Sequence, residues 1–153
     1  MKDGAIDKAE LLDALFHAIP AAIVAVDGEG AVVEWNHAAE EYTGISRDEA
    51  MRATIWDVQA RVAPATIPDE QARHRSRERF LSLLAMCSET SNPWVEEFEG
   101  EILSTSGNFH HIRSEVFPVW LHRNLFLIGV LSTAAHLTVP HISTEYVYES
   151  AHR

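Results

Sequence analysis

The sequence predicts an α+β domain: five antiparallel strands in one sheet, helices gathered on one face, and an amphipathic helix ahead of the first strand. Three observations lead there. Strand-period segments come as a pair near the start and a trio near the end, with helical patterns between. Turn-forming residues separate the members of each group. One run, Leu125 to Leu131, has no polar face and reads as the central strand of a sheet.

Leu11, Leu12, Leu15, Phe16 and Ile19 recur at helical spacing, so residues 7–18 read as an amphipathic helix, which Pro20 ends. Residues 21–26, AAIVAV, are β-branched and apolar, and Asp27-Gly28-Glu29-Gly30 carries hairpin turn chemistry. The partner strand is Ala31 to Trp35. Asn36 is a good N-cap for a helix from His37 to Thr43, which Gly44 stops. Ser46 caps another short helix through about Ala53, with Asp48 and Glu49 in its first turn, where the helix dipole favours acid.

Residues 57–68 hold Pro64 and Pro68 and show no period, so they read as loop. From Pro68 a longer helix runs to about Ser88. Phe80, Leu83, Leu84 and Cys87 share one side of it, which makes Cys87 a small core residue. In Trp94 to Leu103, Trp94, Phe98 and Ile102 share one face while Glu97, Glu99 and Glu101 share the other. Ser106-Gly107-Asn108 turns the chain into Phe109 to Trp120. That strand puts His110, Ile112, Ser114 and Val116 on one side, with His111, Arg113, Glu115 and Phe117 on the other. The turn His122-Arg123-Asn124 leads into the central apolar run.

With 153 residues, 46% of them hydrophobic, the chain suits one domain with a real core. Net charge is −11, from 12 basic and 23 acidic residues, and such a surface repels nucleic acid. Arg61, Arg73, Arg75, Arg77 and Arg79 read as a solvated helix face paired with nearby glutamates, or alternatively as a docking patch for an acidic partner. A single cysteine excludes an internal disulfide. No apolar run approaches the roughly 20 residues of a membrane span, and no basic-then-apolar leader opens the chain. A soluble, cytoplasmic domain is the expectation. No nucleophile elbow, phosphate-cradling loop or metal-ligand spacing is present. His110 and His111 are adjacent, so in a strand they point to opposite faces and cannot readily share a metal. Glu97, Glu99 and Glu101 read as an edge-strand device against aberrant pairing. No catalytic residue and no metal site are expected.

The stretch IPAAIVAVDGEGAVVEWNHAAEEYTGISRDEAM, followed by a long helix and three strands ending in IGVLSTAAHLT, resembles the PAS family of sensory modules. The Asp-Gly hairpin, the Trp35-Asn36 corner, Ala38-Ala39-Glu40 and the Gly44 stop carry the resemblance, which covers about residues 10–138. It implies sheet order 2-1-5-4-3 and a PAS domain over 21–138, preceded by an N-terminal helical segment (1–20) and followed by a tail (139–153). It also implies a small cavity between the helices and the sheet. The walls expected are Ile23, Ala25 and Val33 from the first two strands, and Phe80 and Leu84 from the long helix. The later strands add Ile112, Val116 and Ile128, with His110 and Ser114 as polar anchors.

The family's flavin photoreceptors carry an Asn-Cys-Arg segment where this chain reads Val58-Gln59-Ala60-Arg61, so flavin photochemistry is not expected. Its haem sensors place a histidine after a Pro-Asp on the long helix, and Pro68-Asp69-Glu70-Gln71-Ala72-Arg73-His74 is similar, making His74 the haem candidate. The resemblance leaves three function classes: a small-molecule sensor, a haem sensor using His74, and a ligand-free dimerisation scaffold. Each implies a signalling partner or output domain. Leu11, Leu12, Leu15 and Phe16 are the expected dimerisation surface. Pro140 is expected to break any signalling helix leaving the last strand. The chain is then either a whole single-domain regulator or a piece of a longer sensor.

Overall fold

In the computed structural model, residues 5–89 and 94–133 are described. The order is α1 (Lys8–Ala18), β1 (Ala22–Asp27), β2 (Val32–Trp35), α2 (His37–Thr43), α3 (Arg47–Ala50), α4 (Ile55–Arg61), α5 (Asp69–Glu89), β3 (Glu96–Leu103), β4 (Phe109–Leu121) and β5 (Asn124–Thr133). All strand pairs are antiparallel, and the sheet order is β2-β1-β5-β4-β3. The expected order and fold class are therefore present. The expected Pro140 break and the tail 139–153 lie outside the described residues.

The apolar run takes the centre because it pairs on both sides. Ala25 stands opposite Ile128 on β5, and Phe117 of β4 stands opposite the same Ile128. A register shift between Ala25 and Val26 bulges the β1–β2 hairpin at Val33. Helices α2 to α5 cover the face presented by Ala22, Val24 and Val26 of β1. There Ala38, Ile45, Ala50, Val58, Phe80 and Leu83 close the core. Cys87 lies in the same core, as expected; burial pushes its thiol pKa up, and its Sγ donates to the Leu83 carbonyl at 3.4 Å.

The expected loop over 57–68 is corrected at its start, where α4 occupies 55–61. Thr54 caps it by accepting from the Asp57 amide at 3.4 Å. The signal was local: Thr54-Ile55-Trp56-Asp57 has the Ser/Thr-x-x-acid spacing of a capped helix start. Neighbours then fasten both ends. The Ile55 amide donates to the Gly30 carbonyl at 2.8 Å, and the Leu103 amide donates to the Val62 carbonyl at 2.8 Å. The helix after Ser46 is shorter than expected, ending at Ala50, with a capping box between Ser46 and Glu49.

Candidate functional site

The corner between β2 and α2 positions the rest. Asn36 is fully buried and uses its whole hydrogen-bonding capacity. Its Oδ1 accepts from the amides of Ile23 (2.8 Å) and Ala39 (3.1 Å). Its Nδ2 donates to the carbonyls of Phe16 and Ala21, both at 3.0 Å. One side chain thus ties α1, the start of β1 and the first turn of α2 together. Beside it, the buried Trp35 donates its indole N–H to the Ile45 carbonyl at 3.0 Å. Arg47 forks onto Glu34 at 2.9 and 3.3 Å and reaches the Trp35 carbonyl at 3.2 Å.

Holding α2 and α4 off the sheet in this way encloses a cavity of about 340 Å³ between the sheet, α4 and α5. Its floor is Val24, Leu127, Leu131, Ile112 and Val116. Its roof is Val58 and Val62 of α4 with Phe80 and Leu83 of α5. Polar groups collect at the side where α5 passes the edge strand β3: Gln59, Arg75, Ser76 and Arg79. Arg79 stacks over Phe98 with its guanidinium carbon 5.0 Å from the ring centroid, and Ser76 donates to the Gln59 side-chain carbonyl.

Four of the expected wall residues line this cavity: Phe80, Ile112, Ser114 and Val116. Six do not. Ile23, Ala25 and Ile128 alternate with the cavity-facing residues of their strands, so they occupy the opposite face of the sheet. Val33 falls at the bulge, away from the cavity-facing Trp35. Leu84 is half-buried against the core, one position past the lining residue Leu83. His110 shares the face of Ile112 but lies beyond the cavity, its ring centroid 5.8 Å from that of Tyr42. His74, the haem candidate, is exposed on α5 and does not line the cavity. Trp35, which is not among the expected wall residues, also lines the space.

The arginines divide. Arg73 pairs with Asp57 at 2.7 Å and Arg61 with Glu49 at 3.8 Å, and Arg77 lies 5.6 Å from the Trp56 ring centroid. These three fit the expected solvated face, although two of the partners are an aspartate and an aromatic ring. Among the described residues, no three His, Cys, Asp or Glu side chains gather as a metal site would require. No described helix is long and apolar enough to cross a membrane.

No curated protein matches the sequence. Solved structures match the fold. The PAS domain of an HTR-like protein from Haloarcula marismortui superposes with a TM-score of 0.59 at 18% identity, covering 82% of this chain and 91% of that one. The PAS domain of Bordetella pertussis BvgS gives 0.58 at 17% identity, covering 95% and 96%. That of nitrogen regulation protein NR(II) from Vibrio parahaemolyticus gives 0.55 at 16% identity, covering 80% and 97%. The family model described as the PAS fold matches residues 10–116, well over half of the 153 residues. With the sheet order, the Asn36 corner and the roofed cavity already in hand, that match shows that the chain belongs to the PAS family.

Proposed function

We propose that this chain is a non-enzymatic sensory module of a signalling protein, and that it binds a small molecule in the cavity beneath α4 and α5. The observation carrying this reading is the cavity itself. At about 340 Å³ it falls at the lower end of the range of small-molecule sites, about 300–1,000 Å³. Its walls are mostly apolar and most of its polar groups lie at one side, the arrangement that buries a ligand body and orients its head. Family membership and the resemblance to PAS domains of a sensor histidine kinase and of a nitrogen regulation protein support a role in signal transduction.

The mechanism is a population shift. A ligand that fits the cavity best in one arrangement of α4 and α5 favours that arrangement. The change passes through the Leu103–Val62 and Ile55–Gly30 hydrogen bonds to β3 and the β1–β2 hairpin. Partners read the outer face of the sheet or α1. The test is native mass spectrometry of the freshly purified protein, followed by melting before and after unfolding, washing and refolding. A bound mass, with a loss of about 5–10 °C when it is removed, is expected for a ligand held at about 100 times its Kd. A bare mass, with no stabilisation by any member of a metabolite library, would refute the reading.

A further inference from the structure

The free hydrogen-bonding capacity around the cavity is mostly donor capacity. Arg75 and Arg79 line it, and neither makes an ion pair among the described residues, whereas Arg61 and Arg73 do. Ser76 donates to the Gln59 carbonyl, which leaves the Gln59 amide N–H groups as donors at the same opening. Thr43 is already committed, donating to the Ala39 carbonyl and accepting from the Ile45 amide. The Ser114 hydroxyl lines the wall from β4 with no protein partner among the described residues. Glu99 and Glu101 border the opening from the edge strand. Strand alternation nevertheless aims their side chains at the other face, away from Phe98, Gly100 and Ile102.

Space is provided in the same region. Gly100 and Gly129 both border the cavity from inside strands, where glycine weakens pairing and often marks a close approach. A Cβ at Gly100 would meet nothing within 4 Å, and one at Gly129 only Leu131 Cδ1 at 3.8 Å. Both backbone conformations accept a side chain, so neither glycine is there to satisfy a left-handed turn.

Resting on the sensory reading above, we infer that the ligand is a small amphipathic carboxylate. Its apolar body lies over Gly100 and Gly129 beside Ser114, and its carboxylate is held at the opening by Arg75 and Arg79. A guanidinium presents paired N–H donors that match a carboxylate's two oxygens, a match that a neutral amide cannot complete.

The test is titration calorimetry with matched pairs: octanoate and octanamide, then indole-3-acetate and indole-3-acetamide. The proteins are the wild type, the double variant Arg75→Gln/Arg79→Gln, and Gly129→Val. In the wild type at least one acid is expected to bind about tenfold more tightly than its amide. The double variant should erase that preference, bringing acid affinity down to that of the matching amide in the same variant, and Gly129→Val should abolish binding of both. Gly100→Val replaces Gly129→Val if the latter does not melt cooperatively. Equal binding of acid and amide, lost in the valine variant, would overturn the carboxylate inference while supporting the cavity. A preference that survives the double variant, or acid binding that survives the valine, would overturn it as well. No binding of any probe up to about 1 mM would overturn the inference. If native mass spectrometry also gave the bare mass, the sensory reading would fail with it.

Discussion

Asn36 concentrates in one buried amide the contacts that would otherwise need several residues. Replacing it with alanine leaves two amides and two carbonyls without their partner, and each buried orphan costs about 1–3 kcal/mol. Asn36→Ala is therefore expected to lower Tm by at least about 8 °C, measured by circular dichroism. Asn36→Asp keeps the acceptor for Ile23 and Ala39 but turns a carboxylate toward the carbonyls of Phe16 and Ala21. It should loosen α1 selectively, visible as faster hydrogen exchange over residues 8–18. Glu40 gives a pH prediction. The Arg47 amide, donating at 2.7 Å, holds its carboxyl below the usual glutamate range, with His37 at 3.3 Å adding to the effect. A carboxyl lowered in the folded state contributes stability above its unfolded pKa and loses it as pH falls through the folded value. Urea melts should therefore weaken on acidification, and Glu40→Gln should flatten that slope without altering its sign.

At the scale of elements, the β4–β5 hairpin closes with Leu121 opposite Asn124, and both intervening residues carry positive φ: His122 at 49° and Arg123 at 71°. Two-residue hairpin turns with left-handed central residues favour Asn-Gly. His122→Asn/Arg123→Gly is expected to stabilise the protein by about 1 kcal/mol, raising Tm by about 2–4 °C. A fall in Tm would show that His122 or Arg123 makes contacts worth more than the backbone relief. Strands also explain which part of the cavity was legible. In β4 the polar residues His111, Arg113 and Glu115 alternate with Ile112, Ser114 and Val116, so the inward face could be read, and Ser114 was found. In β1 and β5 both faces are apolar; period 2 leaves no mark there, and Ile23, Ala25 and Ile128 were assigned to the wrong side. The arginines at the opening were visible as a cluster. Which of them line the cavity depends on where α5 crosses β3, and no local pattern encodes that crossing.

At the scale of the whole molecule, α1 buries no residue, and Leu11, Leu12 and Leu15 are 43%, 58% and 49% exposed. Phe16 is half-buried, its carbonyl held by Asn36. The outer sheet face adds half-buried Phe117, Ile128 and Val130. Both are apolar surface of the kind a partner covers, and α1 is the surface that the sequence leads one to expect in a dimer. For a chain that dimerises through α1, Leu12→Glu/Leu15→Glu is expected to shift sedimentation from dimer to monomer with no loss of Tm beyond that of dissociation; a wild-type monomer at tens of micromolar would end that expectation. The sheet order was expected from the PAS resemblance, and the run 125–131, apolar on both faces, independently predicted a central place for its own strand only. That order has a consequence for how the chain is made. Residues 22–27 find their second hydrogen-bonded neighbour only in residues 126–131, about a hundred positions later in synthesis. Until β5 emerges from the ribosome, β1 has a bare edge and the four-helix cover has no finished floor to rest on. The first strand translated waits for the last, so the nascent chain spends most of its synthesis exposed to aggregation at that edge.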